Sequence, residues 1–150
     1  MLNRPEEIEA LLRAHTFKEA ERDEDELRQY LMVATGLLKD ARIANLSAYG
    51  RCMLAYDGLH SLAIATLLHF GVRPGDQPGQ RSMAFQKFCD LLEMDIGMRK
   101  IVLDAHDRRN EKTYRSALPP LTHKDAEAVL SVLDHALVKA VAVIVPTKKK

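Results

Sequence analysis

The sequence has almost no net charge, and this absence excludes one class of interaction at once. Its 150 residues carry 22 lysines and arginines against 21 aspartates and glutamates, a formal net charge of +1. No global electrostatic field therefore draws the chain to nucleic acid or to a membrane, and any such attraction must be local. The composition, 47% hydrophobic and 29% charged, is that of an ordinary globular protein.

Cysteines are few, and long uninterrupted apolar stretches are missing. The most apolar stretch, 126–145, contains Asp134 and Lys139, so we expect no transmembrane helix. The opening residues MLNRPEEIEALL lack the basic and then apolar organisation of a signal peptide. Cys52 and Cys89 belong to no CxxC or Cys/His pattern, and we expect both to be free thiols buried in helices. Together these features predict a cytoplasmic protein that does not span a membrane.

Common catalytic and cofactor-binding motifs are also missing. No GxSxG, HExxH, P-loop or GxGxxG pattern occurs. The glycine-rich segment 71–80 (GVRPGDQPGQ) lacks the lysine and the strand–loop–helix setting of a phosphate cradle, so we interpret it as a plain loop. The nearest approach to a metal motif is Asp57 with His60, and one such pair supplies too few ligands for a zinc site. We therefore expect neither a metal nor a cofactor.

Apolar residues recur instead at the spacing of amphipathic helices. Asp23 with Glu26 resembles a capping box, Gly71 suits the position after a helix, and Thr122 suits a helix cap. The pattern predicts helices over 4–15, 27–41, 47–70, 82–93 and 98–116 and a last helix after Thr122. The expected fold is all-α, an up-and-down antiparallel bundle of four to five long helices plus a short N-terminal helix.

The length suits one domain. We expect residues 1–150 to form a single helical-bundle domain. Within it, residues 1–22 are predicted to be an N-terminal helical arm, and 146–150 a solvated basic tail.

The stretch 104–114, which reads DAHDRRNEKTY, holds the strongest functional candidates. An apolar face over 98–105 continues, by helical spacing, to Arg109. An arginine on a core-facing line must be paired, must extend its head group to water or must face a cavity. A polar stripe lies beside it, formed at four-residue intervals by His106, Asn110 and Tyr114.

Asp57 is the natural partner for this arginine. It lies on an otherwise apolar line of the helix predicted over 47–70, so we expect its carboxylate to be buried and to need a cation. An ion pair between Asp57 and Arg109 would fix the register of two helices. Alternatively, the same pair would form the floor of a polar pocket.

The helix over 98–116 is also rich in basic side chains. Arg108, Arg109, Lys112 and Arg115 could present their charges to phosphates, with Tyr114 available for stacking or a hydroxyl contact. The alternative is a solvated face whose cations stabilise the C-terminus of the helix.

The order of the segments is itself a pattern. The helical stretch DARIANLSAYGRCMLAYDGLHSLAIATLLHFGVR precedes a glycine-rich loop, a short helix and a helix that carries RRNEKTY. This order resembles the HEPN superfamily of small helical bundles over about residues 37–136. The adjacent Arg109 and Asn110, late in the fourth long segment, are its most specific part.

The resemblance implies a metal-independent ribonuclease of toxin–antitoxin or phage-defence systems. In that family an arginine holds the scissile phosphate, and a histidine after four to six positions handles the 2′-hydroxyl proton in a symmetric dimer cleft. Arg109 and Asn110 match the first part, but Tyr114 stands where the histidine is expected. A phenol with a pKa near 10 is a poor general base at neutral pH. His106, one turn upstream, is the alternative base.

Three hypotheses follow from these residues. The first is a HEPN-like, non-catalytic or weakly catalytic homodimer that binds RNA, a nucleotide or a partner such as a nucleotidyltransferase-type protein, with Asn110, Arg108 and Asp57 as binding residues. The second is an active ribonuclease toxin that uses Arg109 with His106 or Tyr114. The third is a structural helical adaptor without a ligand.

Overall fold

Helices account for most of the fold, as expected. In a computed structural model that describes residues 4–77, 79–110 and 120–145, the chain forms six α-helices and one two-stranded sheet. The elements are, in chain order, α1 (Glu6–Arg13), β1 (Phe17–Glu19), α2 (Glu24–Ala41), α3 (Ala48–His69), β2 (Val72–Pro74), α4 (Gln80–Leu91), α5 (Ile96–Asn110) and α6 (His123–Ile144). The predicted all-α bundle is confirmed, with α2, α3, α5 and α6 as the long helices.

Local capping chemistry sets where the long helices begin and end. The Asp23 side chain accepts hydrogen bonds from the amides of the first turn of α2, and Ser47 does the same for α3. Thr122 and Asp125 form a reciprocal capping box at the start of α6, with N–O distances of 2.8 and 3.1 Å. After α3, Gly71 takes a left-handed φ of 77°, which a side chain would disfavour. The caps predicted at Asp23 and Thr122 and the position predicted for Gly71 are therefore confirmed, although Asp23 caps α2 without the reciprocal bond from Glu26 that a capping box has.

The four long helices alternate in direction, and α3 lies at their centre. The start of α3 contacts the end of α2 through a hydrogen bond of 2.8 Å from Arg51 Nε to the Ala41 carbonyl. Gly58 of α3 lies against Leu133 of α6, where an added Cβ would come within 2.7 Å of a leucine methyl group. This glycine lets the two helices approach closely. The core around them is aromatic and aliphatic, with Tyr56, Leu59, Phe85, Phe88 and Leu133 among its fully buried side chains.

The interpretation of 71–80 as a plain loop is wrong at its first half. Val72–Pro74 forms β2, which pairs antiparallel with β1 in the register Phe17 to Pro74 and Glu19 to Val72. Three residues are too few to show the alternation of a strand in the sequence. The pairing is instead stabilised from outside, since Phe17 and Val72 are both buried in a small apolar cluster.

The N-terminal arm packs onto the bundle through this sheet. Its expected helix is shorter than predicted, because α1 ends at Arg13, and β1 follows it. A second apolar cluster, separate from the main core, ties the arm to the bundle and contains Ile8, Phe17, Leu67, Val72 and Ala84. The arm is therefore a mixed helix–strand unit and not purely helical.

In the described part of the chain, the two cysteines are buried free thiols, as expected. Cys52 and Cys89 are buried free cysteines, and burial raises the pKa of Cys89 to about 11. Among the described helices, none combines the length and apolar character needed to cross a bilayer. The tail at 146–150 lies outside the described residues.

Candidate functional site

An open pocket of about 610 Å³ lies between α3, the segment from β2 into α4, and the end of α5. We call it the His106 pocket. Its lining divides into polar and apolar side chains from four parts of the chain. The polar group includes His60, Arg73, Arg81, His106 and Asn110, and the apolar group includes Tyr30, Ile64 and Pro74. Two of the predicted site residues, His106 and Asn110, therefore meet here.

His106 is fixed at the floor by two hydrogen bonds. Its Nδ1 lies 3.1 Å from the hydroxyl of Tyr56, and its Nε2 lies 3.0 Å from the amide nitrogen of Asn110. The side chain is only 5% exposed. Because a neutral imidazole has one donor and one acceptor nitrogen, donation from Asn110 to Nε2 leaves Nδ1 to donate to the Tyr56 oxygen. Both ring nitrogens are thus engaged, which makes His106 a residue that positions its neighbours.

The same surroundings keep His106 neutral at physiological pH. Burial lowers its pKa, the nearby Asp107 carboxylate raises it in part, and the charge of Arg81 lowers it again. Burial also raises the pKa of Tyr56, although Arg81 lies close to its hydroxyl and opposes that shift. The floor of the pocket is therefore an uncharged tyrosine–histidine–asparagine network with one guanidinium beside it.

His60 is the second neutral imidazole of the pocket. Burial lowers its pKa to about 4, and the charges of Arg81, His106 and Arg109 act in the same direction. Its ring packs against Phe85 at a centroid distance of 5.9 Å. Neither ring nitrogen has a hydrogen-bond partner among the described residues. Since every fully buried polar side-chain atom in that part of the chain is hydrogen-bonded, these nitrogens must reach the pocket.

Two arginines, Arg73 and Arg81, complete the polar side of the pocket, and neither is among the residues predicted from the sequence. Neither Arg73 nor Arg81 forms a salt bridge with a carboxylate within the described ranges, whereas most described arginines do. One signal could have indicated them. Tyr56, His60 and Ile64 follow each other at four-residue intervals on one helix, and a glycine-rich segment with two arginines comes next.

Asp57 and Arg109 form the expected ion pair, but its environment differs from the prediction. Their charged atoms are 3.5 Å apart, and the two side chains are 44% and 42% exposed. Asp57 is therefore not buried, because α3 turns this position toward the edge between α3 and α5 rather than toward α6. The guanidinium carbon of Arg109 lies 5.8 Å from the centroid of the Tyr56 ring. Arg109 is thus paired, and its partly exposed guanidinium group reaches water, which are two of the three alternatives for it; it does not line the His106 pocket.

The remaining predicted residues do not join this pocket. Arg108 lines a different cavity, of about 460 Å³, on the other face of α5, together with Asp104, Asp107 and Asp125. Tyr114 lies outside the described residues. The predicted pairing of Arg109 with Tyr114 therefore stays a prediction, and Arg108 is separated from Asn110 by the body of the helix.

No cluster of three or more histidine, cysteine, aspartate or glutamate side chains in the described ranges has the arrangement of a metal site. The two imidazoles of the pocket face guanidinium groups, which disfavour a cation. Asp76 also lines the pocket, but its carboxylate pairs with Lys18, so the guanidinium groups make the pocket suit an anion.

No protein-family model, curated protein or solved structure matches this chain. The resemblance to the HEPN superfamily therefore stays a prediction from residues 37–136.

Proposed function

We propose that this protein is a helical binding module whose His106 pocket holds the phosphate group of a nucleotide or of single-stranded RNA. The observation that carries the proposal is the pair Arg73 and Arg81, which face the pocket without a salt-bridge partner among the described residues. A guanidinium group presents five donors in a planar fork that suits phosphate oxygens.

The polar floor supports an anionic ligand further. His60 is neutral at pH 7, so it can donate a hydrogen bond to a phosphate without adding a charge that must be neutralised in its absence, while His106 holds Tyr56 and Asn110 in place. The near-zero net charge of the chain then keeps the attraction local to this pocket. In a HEPN-like homodimer, such a pocket would lie in each protomer, and a nucleotidyltransferase-type partner would act on the same module.

A binding role is favoured over catalysis by the geometry at His106. Both of its ring nitrogens are occupied and its side chain is almost fully buried, so it cannot easily reach a 2′-hydroxyl. A ribonuclease is the second candidate, and His60 is the observation that favours it. Its imidazole is neutral, reaches the pocket and lies in the field of Arg81.

Binding is tested with a fluorescently labelled single-stranded RNA in a salt series. We expect Arg81→Met to weaken binding at least tenfold and to reduce the salt slope by about 0.7, the loss of one phosphate contact on a single strand. Arg28→Met is the matched control, because Arg28 is an exposed arginine of α2 that pairs with Asp25. Equal affinities for the two variants would contradict the proposal. Absence of binding by the wild type would leave the adaptor hypothesis.

Catalysis is tested separately by incubation with total RNA in EDTA. Cleavage that His60→Gln abolishes would identify a metal-independent ribonuclease. RNA that remains intact while the labelled strand binds supports the binding module.

A further inference from the structure

The His106 pocket has two chemically different ends along one face of α3. His60 and Ile64 lie one helical turn apart on that face and both line the pocket, so its wall extends about 6 Å along the helix, and the buried Tyr56 lies one turn before His60. At the Tyr56 end are Arg81 and the His106 network. Toward the other end the helix presents the aliphatic Ile64. The part of the pocket beside Arg81 and His106 therefore suits a charged group, and the part beside Ile64 suits an apolar one, although Arg73 also lines the pocket.

Tyr30 gives the apolar end an aromatic surface. It belongs to α2, is partly buried against the main core and lines the pocket with Ile64 and Pro74. Stacking of a nucleobase on an aromatic ring contributes about 1–3 kcal/mol per base, and every base has a face for it. The combination of a flat aromatic ring, an aliphatic wall and a guanidinium group beyond them suits a nucleotide better than a simple phosphate ester.

The outer wall of the pocket is ordered before any ligand arrives. The amide of Gly75 donates to the Thr16 carbonyl at 2.9 Å, and the amide of Gln77 donates to the Gln80 side chain at 3.0 Å. Lys18 of β1 also pairs with Asp76 across the sheet. The N-terminal arm therefore holds Gly75 and Asp76 in place, which lowers the entropic cost of binding a ligand against this wall.

The size of the pocket limits what can enter. A volume of about 610 Å³ lies within the range of small-molecule sites and leaves room for one nucleotide. A base in a duplex is stacked on its neighbours and cannot reach such a concave site unless it is unstacked.

We propose that the His106 pocket accepts a single unstacked nucleotide, with its phosphate at Arg81 and its base against Tyr30, Ile64 and Pro74. The inference rests on the proposed phosphate site and adds a base site to it. Tyr30 becomes the residue that distinguishes a nucleotide from other phosphate esters.

Calorimetric titration of the full chain tests the inference with AMP, ribose 5-phosphate and inorganic phosphate. We expect AMP to bind at least tenfold more tightly than ribose 5-phosphate. Tyr30→Leu should remove this difference while the affinity for ribose 5-phosphate stays within twofold, and Tyr30→Phe should keep it. Tyr49→Leu is the matched control, since Tyr49 is 55% exposed on α3 and does not line the pocket. Arg81→Met should lower the affinity for all three ligands.

The outcomes separate the inference from the proposed function. Equal binding of AMP and ribose 5-phosphate, both dependent on Arg81, would overturn the base site and leave the phosphate site intact. If none of the three ligands nor single-stranded RNA binds, the proposed function itself fails. Should Tyr30→Leu not fold, Ile64→Ala at the same end of the pocket takes its place, with the same expected loss of the AMP preference.

Comparison of RNA ligands identifies the source of the nucleotide. A 5′-phosphorylated single strand that binds at least as tightly as AMP supports the inference. Tighter binding than that of AMP would show that residues around the pocket also contribute to the affinity for RNA. A blunt duplex of the same sequence should bind at least tenfold more weakly than the single strand. Equal affinity of duplex and single strand would overturn the inference.

Discussion

Arg51 near the start of α3 and Arg81 near the start of α4 are both arginines, yet they differ in burial, in hydrogen bonding and in the charges around them. Arg51 is 5% exposed, and all parts of its guanidinium group are engaged by the protein. Its Nε donates to the Ala41 carbonyl at 2.8 Å, one terminal nitrogen lies 3.1 Å from His123 Nδ1, and the other pairs with Glu127. This single side chain therefore connects the end of α2, the start of α3 and the start of α6.

Arg81 lies at the start of α4, is exposed, and approaches the Tyr56 hydroxyl. Its field lowers the pKa of the two neighbouring imidazoles and is not neutralised by a salt bridge within the described ranges. A guanidinium group whose donors are all used inside the fold serves stability. One that leaves donors facing an open pocket serves a ligand, and the difference can be measured.

Removal of Arg51 should have the largest effect on folding. We expect Arg51→Met to lower the free energy of unfolding by about 3 kcal/mol, because it leaves the Ala41 carbonyl without its donor and breaks the junction of three helices. Urea unfolding followed by circular dichroism gives the value. Arg81→Met is the matched control, and we expect its cost to stay below about 0.5 kcal/mol, as for most exposed positions.

A similar loss of stability in both variants would contradict the distinction between the two arginines, since it would show that Arg81 is also part of the folded scaffold. A loss confined to Arg51→Met would support it. The effect of Arg81→Met on RNA affinity could then be attributed to the pocket alone.

Acidification should have the second-largest effect, because it should lower the free energy of unfolding through His60 in the pocket. The folded-state pKa of His60 is about 4, against an ordinary value of 6.5, so the unfolded chain binds a proton at this residue more readily than the folded chain does. The stability that neutral His60 contributes is present above pH 6.5 and is lost as the pH falls toward 4. Allowing for partial solvent screening, we expect a loss of about 2 kcal/mol across this window.

The measurement is urea unfolding of the wild type and of His60→Gln at several pH values between 7.5 and 4.5. The groups that act on His60 are Arg81 of α4 and His106 and Arg109 of α5, and they remain in both proteins. The difference between the two pH profiles therefore isolates His60. Parallel profiles would mean that the imidazole gains a proton freely in the folded state.

Most of the fold could be predicted from local chemistry. The caps Asp23 and Thr122 and the position of Gly71 depend on residues within one turn of the helix ends, and helical periodicity depends on neighbours three or four positions away. The short sheet could not be predicted, because β1 and β2 pair across more than fifty residues and their burial depends on that pairing.

The candidate site shows the same limit. His106 and Asn110 were identified because they share a helix face, and the contact of Asp57 with Arg109 because each needed a partner. The buried Arg51 and the pocket residue Arg81 were missed, since each acquires its role from elements distant in sequence. The burial expected for Asp57 was wrong for a related reason. Periodicity places a side chain on a face of a helix, but only packing decides whether another helix covers it.

The smallest effect should come from the ion pair of Asp57 and Arg109. The surroundings of Arg109 are intermediate between those of the buried Arg51 and those of the exposed Arg81. Its atoms are 3.5 Å apart, but both side chains are more than two-fifths exposed. Solvent screening and side-chain entropy therefore offset most of the attraction, and we expect a coupling energy of about 0.2–1 kcal/mol. A double-mutant cycle of Asp57→Ala, Arg109→Met and the double variant measures it.

The coupling energy shows whether Arg109 stabilises the fold, as Arg51 does, or is available to a ligand, as Arg81 is. A coupling above about 2 kcal/mol is typical of a desolvated pair and would place Arg109 with Arg51, as part of the scaffold that fixes helix register. A small coupling that falls further in 0.5 M salt would place it with Arg81. In that case the guanidinium group of Arg109 can exchange Asp57 for a phosphate at little cost, and Arg109→Met should weaken RNA binding while leaving the free energy of unfolding nearly unchanged.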